Sequence, residues 1–245
     1  MIRLKQHLAM VMLLAMVSQF ATASTLITIL SSKAKTKNES RNVSDFNAVS
    51  VSGSYNVFIT MGNSESLRLE GDSETISEIE TKVERGILRI RNKKQISGRP
   101  WNNRGKVNIY IQAKKLNSLV QSGSGDIQVD GEIKSSSISS TLSGSGSMNL
   151  NIDTDDFTAT VSGSGKIKVK GIAKNAKITV AGSGNFEGSN LGTSISNVKV
   201  SGSGNVSIAV DTELNALLSG SGKIRYSGKA QVNSTTSGSG SISKL

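Results

Sequence analysis

The chain has 245 residues, 29 of them lysine or arginine and 18 aspartate or glutamate, which gives a formal net charge of +11. It has no cysteine and one histidine, His7, so disulfides, Cys-His nucleophiles and cysteine metal sites are excluded. We expect no catalytic residue, cofactor or metal. The positive charge favours anionic partners, but charge alone does not choose between glycolipid, acidic polysaccharide and nucleic acid.

The segment from Met1 to Ala23 has the pattern of an export signal. Arg3 and Lys5 precede an apolar stretch at residues 8–17 that is too short to span a bilayer, and Ala21-Thr22-Ala23 has the form of a cleavage site. Cleavage near Ser24 would also remove His7, and with it any Ser-His-Asp triad, and leave a net charge of about +9. We therefore expect an exported protein that is periplasmic, secreted or associated with the outer membrane. No later segment resembles a transmembrane helix.

Residues 24–40 are polar, and we expect them to form a mobile lead before a folded domain at 41–245. Within the domain, residues 49–59 read VSVSGSYNVFI, and their apolar residues and glycine alternate with polar ones as in a β-strand. Residues 74–86 place Ile76, Ile79 and Val83 at helical spacing, which allows either a short helix or another irregular coil. We expect residues 41–118 to form irregular coils.

A basic loop is expected at residues 92–105. The stretch from Arg91 to Lys115 has eight basic residues and no carboxylate, and it includes the only proline and the only tryptophan of the chain. A tryptophan between arginines can stack on a sugar, and the cations can bind phosphate or carboxylate. The alternative is a solvated loop whose tryptophan lies on the coil surface. The candidate contact residues for an anionic ligand or glycan are Lys93, Lys94, Arg99, Trp101, Arg104 and Lys106.

From residue 119 onward the phrase Ser-Gly-Ser-Gly recurs. Its seven near-copies have their first glycines at 123, 144, 163, 182, 202, 220 and 238, which is a period of about 20 residues. In the third copy Phe157, Ala159 and Val161 have one parity, and the threonines and lysines have the other. A fixed period with this alternation predicts an all-β fold, a parallel β-helix of about ten coils. The same parity predicts that both glycines face inward and both serines outward.

The outward serines form a second candidate surface, which could contact a glycan or a partner protein. The alternative is that serine is a small polar residue tolerated beside glycine. The serines of this face are Ser143, Ser145, Ser162, Ser164, Ser201, Ser203, Ser219 and Ser221.

Two further patterns concern catalysis and metal binding. Polysaccharide lyases built on β-helices use clustered carboxylates, and Asp153, Asp155 and Asp156 lie together at a break in the alternation. Solvated loop carboxylates are the simpler explanation. A calcium-binding repeat is excluded because the position of Asp126 is lysine in two other copies, and a phosphate-binding loop is excluded because no helix follows Lys166.

The stretches RNVSDFNAVSVSGSYNVFITMGNSESLRLEGD and KVNIYIQAKKLNSLVQSGSGDIQV, followed by the SGSG phrases, resemble the exported bacterial auto-transporter adhesins with a head GIN domain. The resemblance covers residues 41–245, with Ala181 departing from the expected serine. It implies a parallel β-helix similar to the pectin-lyase architecture and a role in cell adhesion. It supplies no catalytic or ligand residues.

These observations predict a non-enzymatic adhesion or surface-interaction module. The expected partners are a cell-surface glycan, lipopolysaccharide or a protein, with no specific nucleic acid. One alternative is a carbohydrate-active enzyme of the lyase or hydrolase type. Another is a purely structural envelope protein whose terminal coil pairs with other copies, and we expect homo-oligomers for the same reason.

Overall fold

The computed structural model describes residues 36–93 and 106–245, so the expected export signal lies outside the described residues. The described chain is almost entirely β-structure. Its strands are β1 (Thr36–Arg41), β2 (Ala48–Ser52), β3 (Asn56–Met61), β4 (Ser66–Asp72), β5 (Ile79–Glu84), β6 (Ile87–Asn92), β7 (Val107–Ala113), β8 (Ser118–Gly123), β9 (Asp126–Asp130), β10 (Ile133–Gly144), β11 (Ser147–Gly163), β12 (Lys166–Gly182), β13 (Asn185–Gly202), β14 (Asn205–Gly220), β15 (Lys223–Ser227), β16 (Gln231–Ser237) and β17 (Ser241–Lys244). One helix, α1, spans Ser73–Glu78.

The strands stack in parallel as a β-solenoid of about seven turns. Each Ser-Gly-Ser-Gly phrase forms a corner, here called the SGSG corner, and consecutive corners pair in register: Gly144 with Gly163, Gly163 with Gly182, and Gly182 with Gly202. We call the strand segments before the corners the entry wall and those after them the exit wall. The fold class expected from the repeat is confirmed, but the expected ten coils are too many.

The count is lower because the amino-terminal half does not continue as simple coils. Strands β2 and β3 form the layer directly beneath β8 and β9, and β6 and β7 pair with the other side of β2 and β3. The chain therefore inserts its first coil between two later ones. Beyond this layer the pairing becomes antiparallel, with β4 against β1 and β7, and β5 against β6. Thr36 to Ser40, expected in a mobile lead, belong to the paired strand β1.

The helical alternative for residues 74–86 is correct only for their first part. Asp72 is the N-cap of α1 and accepts a hydrogen bond from the backbone N–H of Thr75 at 2.9 Å. Arg41 donates from its guanidinium to the carbonyl oxygens of Ile76 and Ile79 at the other end of the helix. The residues that follow form the strand β5, in which Ile79 is buried and the other side chains are half-buried or exposed.

The interior is filled by the apolar parity of each coil. In one coil Met148, Leu150 and Ile152 point inward. The alternation breaks where Asp155 and Asp156 are both exposed, and it begins again at the buried Phe157. This arrangement gives one continuous apolar core inside the stack of coils. The break at the aspartates is a second corner of the coil.

The prediction that both glycines of each phrase face inward is wrong for the first glycine. The second glycine is buried in six of the seven copies, whereas the first is exposed or half-buried, as at Gly163. The backbone φ of Gly163 is +111°, a value that side chains with a Cβ rarely adopt, and this turns the chain through the corner. The turn interrupts the strand alternation, which is why parity misplaced this glycine.

Hydrogen bonds tie each SGSG corner to the coil below it. The N–H groups of Ser164 and Gly165 both donate to the carbonyl oxygen of Gly144, at 3.0 and 2.9 Å, and the N–H of Lys166 donates to Gly146 at 3.0 Å. The absence of side chains allows this close approach, because a Cβ on Gly165 would lie 2.7 Å from the Gly146 carbonyl oxygen. The repeated phrase is therefore ordered backbone, although such a composition is typical of flexible linkers.

Candidate interaction surfaces

The serines form two columns along the SGSG corners. The first column aligns Ser52, Ser122, Ser143, Ser162, Ala181, Ser201, Ser219 and Ser237 in successive layers. The second column consists of the serines between the two glycines of each phrase. Of the eight predicted serine-face residues, Ser145, Ser162, Ser164, Ser201, Ser203, Ser219 and Ser221 are exposed and Ser143 is half-buried. The solenoid thus presents regular rows of hydroxyl groups to solvent.

The entry wall beside the serines is also polar and regular. Thr141, Thr160 and Thr179 occupy one outward column. In a neighbouring column Asn233 donates to Asn215 at 3.1 Å, and Asn215 donates to Asn197 at 3.3 Å. These ladders consume part of the amide capacity, so the hydroxyl groups are the freer hydrogen-bonding groups of this wall.

The basic loop begins and ends at the layer that lacks an SGSG corner. Arg91, just before the loop, pairs in register with Ser52, and Asn108, just after it, pairs with Asn56, so β6 and β7 flank the loop in the layer next to β2 and β3. Lys94, Arg99, Trp101 and Arg104 lie outside the described residues. Lys106 is exposed, and Lys93 donates to the carbonyl oxygen of Ser77 at 2.7 Å.

Two of the three predicted aspartates share a surface groove. Asp153 and Asp155 line a groove of about 670 Å³ together with Asp211 from a later coil. Lys134 contacts Glu132 at 3.0 Å and Asp153 at 3.4 Å, and these hydrogen bonds raise the pKa of the Lys134 ammonium group. Asp156 accepts from Asn175 at 2.9 Å. In residues 36–93 and 106–245 there is no group of three His, Cys, Asp or Glu side chains arranged to hold a metal ion.

The exit wall presents an aromatic stack that the sequence analysis missed. The rings of Phe58 and Tyr110 lie 5.3 Å apart at an interplanar angle of 19°, and the guanidinium carbon of Arg68 lies 4.1 Å from the centre of the Tyr110 ring. Phe58 keeps 37% of its surface exposed. The signal was present, because both aromatics occupy the outward parity of alternating strands, but the two strands are far apart in the sequence.

The aromatic stack lies at one end of a row of outward side chains that crosses the exit wall. The register aligns Arg68, Tyr110 and Phe58 in neighbouring strands. The row then continues through Gln128, Asn149 and Lys168. A groove of about 720 Å³ begins at Gln128, and Asn149, Lys168 and Lys170 are among its lining residues. Rings, amides and cations therefore form one continuous surface.

The architecture and the regular polar walls define a β-solenoid with extended surfaces rather than a closed pocket. The sequence matches the family described as "Putative auto-transporter adhesin, head GIN domain" over residues 45–230. The chain belongs to this family, as its sequence motifs indicated. No curated protein matches the chain.

Several solved structures share the fold. A putative adhesin from Bacteroides fragilis is 21% identical with a TM-score of 0.80, covering 86% of this chain and 97% of its own. A putative lipid binding protein from Parabacteroides distasonis is 24% identical with a TM-score of 0.71, covering 87% and 98%. A putative adhesin from Parabacteroides merdae is 19% identical with a TM-score of 0.69, covering 87% and 97%. Among the described residues of the present chain, no helix has the length and hydrophobicity to cross a membrane.

Proposed function

We propose that this chain is an exported, non-enzymatic interaction module that attaches to surfaces of the cell envelope or its surroundings. The observation that supports this most directly is the set of long, regular, polar walls on a hydrogen-bonded solenoid. Such walls offer many weak contacts in fixed register, which suits repetitive ligands better than a single small molecule. Membership of an adhesin family agrees with this function.

The basic loop is the proposed contact region at the amino-terminal end of the solenoid. It contains a cluster of cations and the one tryptophan of the chain, and the strands on either side of it lie in the layer that lacks an SGSG corner. We expect Arg99→Ala, Trp101→Ala and Arg104→Ala together to weaken retention on lipopolysaccharide or anionic glycan without changing the melting temperature. Equal retention of the triple variant would remove the loop from the interaction surface.

The module function is tested by exposing the purified mature chain to envelope fragments and to a glycan and lipid array. The expected result is saturable retention that is lost after thermal unfolding, because the proposed contacts depend on the fixed spacing of the walls. Retention that persists in the unfolded chain would indicate attraction by net charge alone and would contradict the proposal. A high-salt wash separates attraction by net charge from the proposed wall contacts, because salt screens exposed charges but not stacking contacts.

A second candidate function is supported by the groove that contains Asp153, Asp155 and Asp211. Converging carboxylates are used by β-helical enzymes that cleave acidic polysaccharides. If this groove is catalytic, incubation with such polymers releases new chain ends, and Asp155→Asn abolishes the release. Polymers that are bound but not shortened would favour the interaction module.

A further inference from the structure

We propose that the exit wall binds a linear acidic polysaccharide along the row from Phe58 to Lys168. This site is a specific form of the proposed interaction function and rests on it. Aromatic rings, amides and cations are the three groups by which proteins hold acidic sugars: rings pack against the apolar face of the sugar, amides bond its hydroxyls, and cations pair with its carboxylates.

One face of the Phe58 ring is available to a ligand. Arg68 covers one face of the Tyr110 ring and Phe58 covers the other. Arg68 is itself fixed by Glu70 at 2.8 Å and by Asn38 at 3.0 Å. The stack therefore uses one face of Phe58, and the other face is directed towards the next strand, where Gln128 is the register partner.

Polar side chains flank the Phe58–Tyr110 stack on both sides. On one side of the aromatic pair, Asn56 donates to Asn108 at 3.2 Å. On the other side, Gln112 accepts from Ser64 at 2.8 Å, beside the exposed Thr60. A sugar packed on Phe58 would have amides on one flank and an amide with hydroxyls on the other, which suits a hydroxylated ring. Asp126 and Asp130 lie in register on the next strand, so the carboxylates of the ligand have to lie further along the row, at the lysines.

The far end of the row is positively charged. Lys168 and Lys170 are exposed, and across residues 36–93 and 106–245 no salt bridge involves either of them. The groove also contains Asp130 and Glu187, but Glu187 pairs with Lys166 at 2.7 Å. Apart from this pair, Lys168, Lys170 and Asp130 give the groove one net positive charge, which complements a ligand carboxylate.

The length of the row matches a short oligosaccharide. Phe58 and Lys168 are three strands apart, about 14 Å at the usual separation of neighbouring strands. A short oligosaccharide lying across the strands spans this distance, so one end can stack on the ring while a carboxylate further along meets the lysines. A linear polymer satisfies both contacts at once, whereas a single sugar satisfies only one.

The test compares polygalacturonate with its methyl ester, which has the same backbone without the charge, in titration calorimetry with the mature chain. We expect Phe58→Thr to weaken binding of both polymers about tenfold, because the stacking contact is lost. Threonine suits an exposed strand position, so the fold is retained and the melting temperature serves as the check. Lys168→Gln with Lys170→Gln should weaken only polygalacturonate, by about three- to tenfold.

The matched control is Lys177→Gln with Lys199→Gln, which removes two exposed lysines from the entry wall. If this control weakens polygalacturonate as much as the exit-wall pair, binding follows net charge and the proposed site is wrong. Equal binding by wild type and Phe58→Thr also overturns it, as does binding to anionic phospholipid vesicles but to neither polymer. If either of these results is found while the wild-type chain still binds envelope fragments, the interaction function remains and only this site fails.

Discussion

Replacing Gly165 by alanine tests whether the SGSG corners are close-packed backbone. The added Cβ would lie 2.7 Å from the carbonyl oxygen of Gly146 and 2.7 Å from Cδ2 of Leu142, both closer than real Cβ contacts. Leu142 is fully buried and the carbonyl belongs to the coil below, so neither can move without disturbing the stack. Overpacking of this kind costs about 1–3 kcal/mol. In a domain of this size the melting temperature should fall by about 2–12 °C, measured by calorimetry.

Two substitutions provide controls. A Cβ on Gly62 meets no atom within 4 Å, so Gly62→Ala should be neutral or stabilise by up to about 1 kcal/mol. Ser164→Ala removes an exposed hydroxyl at the same corner and should change stability by no more than about 0.5 kcal/mol. If Gly165→Ala melts at the same temperature as Ser164→Ala, the corners are looser than described and the packing argument is refuted.

Three further predictions concern other parts of the chain. The Thr75 N–H donates to the carboxylate of Asp72 and lowers the pKa of this carboxyl group. The contribution of Asp72 to stability is therefore present above its pKa in the unfolded chain and is lost as the pH falls through its pKa in the folded chain. Asp72→Ala should cost about 0.5–2 kcal/mol in chemical unfolding at neutral pH, whereas Asp72→Asn should retain most of the cap but lose this acid dependence. Gln121→Leu removes the Nε2 donor to the Gly125 carbonyl oxygen but also removes a buried Oε1 that has no hydrogen-bond partner among the described residues, so stability should change by no more than about 1 kcal/mol in the same assay. A larger loss would show that the amide is needed. Within the described residues, β16 and β17 pair on one side only, so we expect concentration-dependent self-association in light scattering. Thr236→Lys, at an inward-facing position, should suppress this association, whereas Thr235→Lys, at an outward-facing position, should not. A wild-type monomer at all concentrations would contradict this prediction.

The regular part of the solenoid could be predicted from the sequence because two periodicities coincide there. The regular spacing of the SGSG phrases sets the coil length, and the alternation around Phe157, Ala159 and Val161 sets which side chains point inward. The position of Gly163 could not be predicted in this way. Its positive φ is a property of the corner, and parity contains no information about backbone turns.

Strand pairing in the amino-terminal half could not be predicted from the sequence pattern for a different reason. The alternation in residues 49–59 correctly indicates strands, but it does not say which strands will be neighbours. The insertion of β2 between β6 and β8, and of β3 between β7 and β9, depends on contacts between residues that are distant in the sequence, such as Val57 with Ile109 and Ile127. The Phe58–Tyr110 stack depends on the same pairing, so its two outward aromatics could be noted separately but not brought together.

The SGSG phrases form rigid corners that hold the entry wall and the exit wall in register. Amide hydrogen exchange of the mature chain tests it directly at Ser164 and Gly165, whose N–H groups donate to Gly144. We expect their exchange to be slowed by several orders of magnitude, comparable with that of the strands on either side. Exchange at the rate of an unstructured glycine-serine peptide would show that the phrases are flexible linkers and not ordered corners.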